Sequence, residues 1–518
     1  MSLPSYRPDA IAILDFGGQY CHLIARRVRE MNVYSEIHPS DLGSEDVELL
    51  NRRMDVKGII LSGSPGSVRR GTIPFKPEIL DLDFPVLGLC YGHQLIADFY
   101  GGEVSGGESR EYGSTEAIVE HPIGVLRGME PQEQVWMSHG DTVLSLPANF
   151  EVLAHTENCP VAAFRHKDKH IWGLQWHPEV AHTEKGMMML RNFVFNICGC
   201  ESNWEPADIL DESVREIEEE VGDGRAIIAL SGGVDSSVAA ALAGEGLRDK
   251  LIAVHVDNGL MRSGESRAVE EALSGLGLEV KVIDATERFL SRLEGVVDPE
   301  IKRRIIGEEF IRVFEEEAKL QGAEYLIQGT IYPDRIESGI SRDSDTIKTH
   351  HNVGGLPSDI KFNAIIEPLR DLYKDEVRLI GRRLGLPERF VDRQPFPGPG
   401  LAVRVAGEVT HEKLSVLRQA DSIVCEEVEN SSAVESLWQY FAVLTDTKST
   451  GVKGDERAYC WTVALRLVQS VDGMTANFFK PPWKLLEDIS NRIVNEVPGV
   501  TRVVYDITNK PPSTIEWE

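Results

Sequence analysis

Disulfide scaffolding is what this sequence most plainly lacks. Its 518 residues include seven cysteines, Cys21, Cys90, Cys159, Cys198, Cys200, Cys425 and Cys460, too few and too scattered to staple the chain. The Cys198–Cys200 pair has no second cluster to complete a metal site, so packing is its expected role. Cations are also scarce: 54 Lys and Arg stand against 83 Asp and Glu, a net charge of −29. Nucleic acid polymers are gripped by neutralising phosphates with Lys and Arg, so that class of partner is not expected. Small anions remain possible ligands, because a few local cations and backbone N–H groups can hold them. No stretch approaches 18 uninterrupted apolar residues, so no membrane partner is expected. The segment MSLPSYRPDAIAILDFGG lacks the basic, apolar and small-residue succession of a secretory leader. A cytoplasmic, reduced protein is the expectation. Repeats and low-complexity tracts are absent too.

What is present is length and rhythm. At about 150 residues per domain the chain predicts three or four domains. Residues 8–200 alternate short apolar strands (Ala10–Leu14, Gly58–Leu61, Val86–Leu89) with amphipathic segments, which predicts an α/β sheet with parallel pairs. The acidic stretch Glu201–Glu220 reads as an exposed connecting helix. A second α/β unit over 205–392 has strands at Ala226–Leu230, Leu251–Val256 and Glu279–Ile283 and helices at Ser266–Leu273 and Lys374–Leu384. The segment RQPFPGPGL, Arg393–Leu401, is a hinge or ordered loop that breaks both regular structures. Residues 393–518 mix helices (Glu412–Val428, Trp483–Val494) with strands (Ala442–Thr445, Val500–Asp506) and read as α+β.

The sharpest signal in the first block is FPVLGLCYGHQLIADFYGG. A strand runs into Gly88, Leu89 and Cys90, then Gly92 and an apolar-faced helix. Flanking glycines permit a tight turn that exposes the middle side chain, the geometry of a nucleophile elbow. A thiol at a helix N-terminus meets the positive end of the dipole, which favours the thiolate. A nucleophile needs a base, and the base needs an orienting group. GLQWHPEV offers His177 and Glu179, two apart and on one face if extended. Backbone N–H groups near Gly63 and at Tyr91 could hold an oxyanion. A lone Cys is usually packing and a lone His-x-Glu usually a surface pair; their conjunction in an α/β context is much rarer.

In the second block IIALSGGVDSSVAAALAG reads as strand, loop and helix. Ser231, Gly232, Gly233, Val234, Asp235, Ser236 and Ser237 form the loop. The glycines let N–H groups approach a phosphate at a helix N-terminus, and the two later hydroxyls can donate to it. No Lys follows the glycines, so this is not a Walker loop. Asp235 beside phosphate suggests a cation, and Mg²⁺ is expected there, although Asp is also a good helix cap.

GLCYGHQ with WHPE resembles the class I glutamine amidotransferases over nearly the whole first block. That resemblance implies Cys90 as nucleophile, His177 as base and Glu179 as its orienter, with Gln94, Ser138, His139 and Gly140 helping to hold glutamine. The SGGVDSS loop resembles the PP-loop of the ATP pyrophosphatases, which implies ATP cleaved between its α- and β-phosphates. By the same resemblance AVHVDNG ends near the adenine, and QGTIYPDRIES and KTHHN, with Lys348, belong to that site. QPFPGPGLAVR, ALRLVQSVDGMTA and VVYDITNKPPSTIEWE are similar to the GMP synthetase family. The implied substrates are glutamine, ATP and xanthosine monophosphate (XMP). The implied nucleotide contacts are Arg303 and Lys510 to phosphate and Glu516 as an acceptor. The implied third domain mediates a homodimer. Two prolines with Ile515 and Trp517 predict a docked tail. GVKGDERAYCW departs from the family pattern at Glu456 and Ala458. A different acceptor, such as a deamido-dinucleotide, is the competing expectation.

Overall fold

The apolar strand AIAIL in the first block is flanked by parallel neighbours on both sides in the computed structural model. The structure describes residues 7–71, 73–206, 210–332, 362–453, 456–470 and 475–518. The chain divides into two compact units, one through Glu205 and one from Pro206.

The first unit is built on a nine-stranded sheet in the order β2-β1-β3-β4-β9-β8-β7-β5-β6. The strands are β1 (Asp9–Asp15), β2 (Tyr34–Pro39), β3 (Asp55–Leu61), β4 (Val86–Leu89), β5 (Glu103–Val119), β6 (Gln132–Ser145), β7 (Phe150–His155), β8 (Ala163–His166) and β9 (Ile171–Leu174). From β2 to β9 the pairing is parallel. Residues 10–14 are fully buried, as a strand covered on both faces requires. From β9 to β6 the pairing is antiparallel. This half extends the sheet beyond the expected parallel pairs. Its long strands are polar, so a period-2 pattern of half-buried positions is their only mark in the sequence. β4 and β9 are parallel neighbours, which brings the chain after Leu89 beside the chain after Leu174.

The second unit opens with the helix Leu210–Val221. This is the acidic stretch expected to be an exposed connector, but Ser213, Ile217 and Val221 are buried along one stripe and pack into the core. A five-stranded parallel sheet follows in the order β12-β11-β10-β13-β14. Its strands are β10 (Ala226–Leu230), β11 (Leu251–Asp257), β12 (Val280–Asp284), β13 (Tyr325–Ile327) and β14 (Ala364–Ile366). The order reverses at β10, and ligands of open parallel sheets bind at the carboxyl ends of strands at such a switch. The last part holds β15 (Gln439–Lys453), β16 (Glu456–Gln469), β17 (Asn477–Phe478) and β18 (Val500–Tyr505) with helices His411–Glu429 and Trp483–Glu496. One apolar core runs from Ile227, Val254 and Val256 to Leu417, Leu444, Leu465 and Ile489, so the two parts of this unit share their interior. The Pro/Gly segment is an ordered loop: Leu401 N–H donates to Leu260 O at 2.7 Å.

Candidate active sites

Cys90 stands between β4 and the helix Tyr91–Phe99 with φ 51° and ψ −99°. A non-glycine residue at positive φ is strained, and such strain concentrates where a side chain must be aimed. The turn closes because its neighbours are glycines. A Cβ on Gly88 would lie 2.5 Å from the Gly92 carbonyl, and one on Gly92 would lie 2.4 Å from Leu61 O. Cys90 N–H donates to Leu174 O at 2.8 Å, which ties the elbow to the end of β9. Three residues past β9, His177 is within hydrogen-bonding reach of the Cys90 sulfur. Its Nδ1 is 2.7 Å from Glu179 Oε1. Cys90, His177 and Glu179 are 3%, 4% and 1% exposed, so the three operate out of bulk water. Burial works to lower the His177 pKa, but the Glu179 carboxylate and the Cys90 sulfur outweigh it and hold the imidazole well above its ordinary range. Gly63 faces both: a Cβ there would lie 3.1 Å from the His177 ring and 3.7 Å from Cys90 Cβ. Tyr91 opens the helix, where N–H groups have no intrahelical partner.

β6 floors this site. Trp136 O accepts from His177 N–H at 3.1 Å, and Ser138 O accepts from the Cys90 thiol at 3.5 Å. Asp141 O, just past Gly140, accepts from Gln94 Nε2 at 2.7 Å. His139 is buried against Glu111, and burial pulls its imidazole below the ordinary range. His93 is fully buried, and burial, with His139 nearby, pushes it down to about 3.

In the second unit the SGGVDSS loop follows β10 at the switch point and leads into the helix Val234–Leu247. Gly232 adopts φ 80°. The Ser236 and Ser237 hydroxyls both donate to Gly233 O, at 3.2 and 2.9 Å, so they fold back on the loop. Asp235 Oδ2 pairs with Lys374 Nζ, while Asp235 Oδ1 is buried with no hydrogen-bond partner. One carboxylate with a spare oxygen fits a Mg²⁺ held mainly by substrate phosphates and water. Among the described residues no group of three or more His, Cys, Asp or Glu could hold a metal by itself. Residues Gln328–Tyr332 follow β13; the rest of QGTIYPDRIES and all of KTHHN, with Lys348, fall outside the described residues.

The tail is docked. Arg466, fully buried, donates to Thr508 O at 2.5 Å and Thr514 O at 3.1 Å. Ile515 packs with Phe441, Val443 and Val468. Glu516 takes a two-pronged bond from the buried Arg404, at 2.8 and 2.9 Å. Arg303 donates to Glu518 O, and Lys302 is enclosed by Ala402 O, Val405 O and the Glu518 carboxylate. Lys510 lies on a bridge to Ala476. Arg303 therefore meets Glu518 at the end of the tail, whereas Lys510 pairs through its backbone with Ala476, outside the named strands.

Three family models match the chain in series: glutamine amidotransferase class-I over residues 12–197, NAD synthase over 207–305, and the GMP synthase C terminal domain over 426–517. Over its full length the chain is 54% identical to a glutamine-hydrolyzing GMP synthase of Caldicellulosiruptor saccharolyticus, covering 98% of this chain and 99% of the relative. It is 54% identical to the enzyme of that name from Thermomicrobium roseum, covering 99% and 97%. It is 52% identical to that of Caldanaerobacter subterraneus, covering 98% and 99%. The chain belongs to the glutamine-hydrolyzing GMP synthase family. It is thus a ligase that uses glutamine as nitrogen donor and ATP as energy source, in purine nucleotide biosynthesis.

Within this GMP synthase frame, three features escaped the sequence. Lys374 meets Asp235 across 139 residues. Glu111 meets His139 across two strands, and Arg404 meets Glu516 across 112 residues. None has a local pattern; only the register of β5 and β6, had it been known, would have placed Glu111 opposite His139.

Proposed function

We propose that Cys90 attacks the carboxamide carbon of glutamine. His177 passes a proton to the departing nitrogen, ammonia leaves, and a thioester remains on sulfur. Water, deprotonated by His177, then cleaves the thioester to glutamate and regenerates the thiol. Glu179 keeps the His177 ring in the tautomer and orientation this exchange needs. The N–H groups of Gly63 and Tyr91 stabilise the oxyanion. In the second unit an oxygen of the XMP base attacks the α-phosphorus of ATP and pyrophosphate leaves toward Ser231–Ser237. Ammonia adds to the carbon so activated, and AMP departs to give GMP. A Mg²⁺ at Asp235 would supply charge neutralisation for the phosphates. Arg303 and Lys510 are the proposed cations for the XMP phosphate. Glu516 is the proposed acceptor to its base while Arg404 holds it in place. The protein works as a cytoplasmic homodimer.

The observation that carries this reading is the buried Cys90–His177–Glu179 line in a chain whose other unit places SGGVDSS at a strand-to-helix switch. The NAD synthase match over 207–305 favours a second acceptor, a deamido-dinucleotide, but relatives named GMP synthase match the whole chain. Supplying glutamine, ATP, Mg²⁺ and each acceptor in turn separates them. Chromatography should find GMP, AMP and pyrophosphate with XMP. Appearance of ADP, or AMP release with the dinucleotide only, would overturn the reading.

A further inference from the structure

Glu111, Thr156 and His139 form a buried polar cluster, joined at its rim by the exposed Asn158, that the steps above do not use. Glu111 on β5 stands opposite His139 on β6, beside an irregularity in the pairing. The carboxylate is 5% and the imidazole 1% exposed. His139 Nε2 is 3.1 Å from Glu111 Oε2, and Nδ1 is 2.9 Å from Asp141 O. Thr156 Oγ1 donates to Glu111 Oε1 at 3.0 Å, and Asn158 Nδ2 donates to the same oxygen at 3.3 Å. A tight turn holds the donors: Thr156 N–H donates to Cys159 O at 2.9 Å, and Cys159 N–H donates to Thr156 Oγ1 at 3.0 Å.

The chemistry of these atoms sets a direction. A carbonyl only accepts, so His139 Nδ1 must carry a hydrogen for Asp141 O. The contact between Nε2 and Oε2 needs one hydrogen between the two atoms. Asp141 O takes a second hydrogen bond, from Gln94 Nε2 at 2.7 Å, so the amide nitrogen must face it. The other Gln94 N–H donates to Gln175 Oε1 at 3.1 Å. Both N–H groups of Gln94 are spent inward, which leaves its oxygen as the free end of the amide.

We propose that Glu111 is a positioning residue for glutamine: through His139 and the Asp141 carbonyl it fixes the Gln94 amide with its acceptor end toward the substrate. An acceptor there suits a donor on the substrate, a carboxamide NH2 or an ammonium, and disfavours the carboxylate of the product. The proposal rests on Cys90 being the nucleophile for glutamine.

The test is a double-mutant cycle on KM for glutamine, with ammonium-supported synthesis as the reference. Glu111→Ala should raise KM about tenfold with little change in kcat. Gln94→Leu should raise it at least as much, and the double variant should match Gln94→Leu alone, because the two act in series. Glu111→Gln should restore KM, since its oxygen can face Thr156 and Asn158 while its NH2 donates to Nε2. Additive effects in the cycle would overturn the proposal. So would a Glu111→Gln variant as impaired as Glu111→Ala. Should Glu111→Ala fail to fold, Thr156→Val replaces it, with a smaller rise in KM expected and no rise refuting. If Cys90→Ala still consumed glutamine, the underlying reading would fail; if Cys90→Ala were inert and Glu111→Ala normal, this inference alone would fail.

Discussion

The two candidate sites differ in how finished they are. In the first unit Cys90, His177 and Glu179, the proposed nucleophile, base and orienter, are already in contact and buried. In the second, the loop is shaped but turned on itself: its hydroxyls bond Gly233 O and its carboxylate pairs with Lys374. The difference follows from the chemistry. A covalent attack needs a fixed line of groups before substrate arrives, because misplacement costs rate directly. A phosphate cradle can satisfy its own polar groups meanwhile, and a multiply charged ligand competes them away.

That contrast can be broken in several places. The largest effect is expected from Cys90→Ala, which should cost about 10⁴-fold or more in glutamine-supported synthesis. The same variant should keep ammonium-supported synthesis; losing both would show that the sites are not separable. Next is Glu516→Ala, which takes both hydrogen bonds from the buried Arg404 and leaves it the Asp421 carboxylate at 3.9 Å. About 3–5 kcal/mol of stability should be lost from the second unit, measured by denaturant unfolding. A stable variant with weakened XMP binding would instead assign Glu516 to the nucleotide alone.

His93 tests the burial of the first site. Its folded pKa, about 3, is depressed below the ordinary value of about 6.5. Below 6.5 the unfolded chain therefore binds a proton that the native state refuses. Stability is fully present above that pH and falls as pH drops toward 3, by roughly 2 kcal/mol at about pH 5. Calorimetry across this range should show a shallower slope in His93→Gln than in wild type, the remainder coming from groups such as His139; equal slopes would contradict it. Lys374→Met is the smallest, about tenfold. It should lower glutamine- and ammonium-supported synthesis equally, since both use ATP. A loss confined to glutamine would place Lys374 elsewhere in the reaction.

Much of this was legible in the sequence because the critical devices are local. The Gly88–Cys90–Gly92 turn and the Ser231–Ser237 loop are contiguous, and their backbone demands leave few residue choices. His177 and Glu179 are two apart, so one strand exit places both. The antiparallel half of the first sheet was missed because β5 and β6 are polar ribbons with a weak alternation. The burial of Ile217 and Val221 was hidden by the acidic residues between them. Lys374–Asp235, Glu111–His139 and Arg404–Glu516 were invisible because each joins distant segments, and no local preference encodes a partner.

The glycine contacts beneath the elbow carry a consequence for the gene. A single-base change turns any glycine codon into an alanine codon. At Gly92 the added methyl would drive into Leu61 O, 2.4 Å away. The turn that aims Cys90 would open although Cys90, His177 and Glu179 all kept their identity. A survey of variants that scored only the thiol, the imidazole and the carboxylate would pass such an allele as intact, so under the proposed reading loss of glutamine use can be inherited through a residue that performs no chemistry.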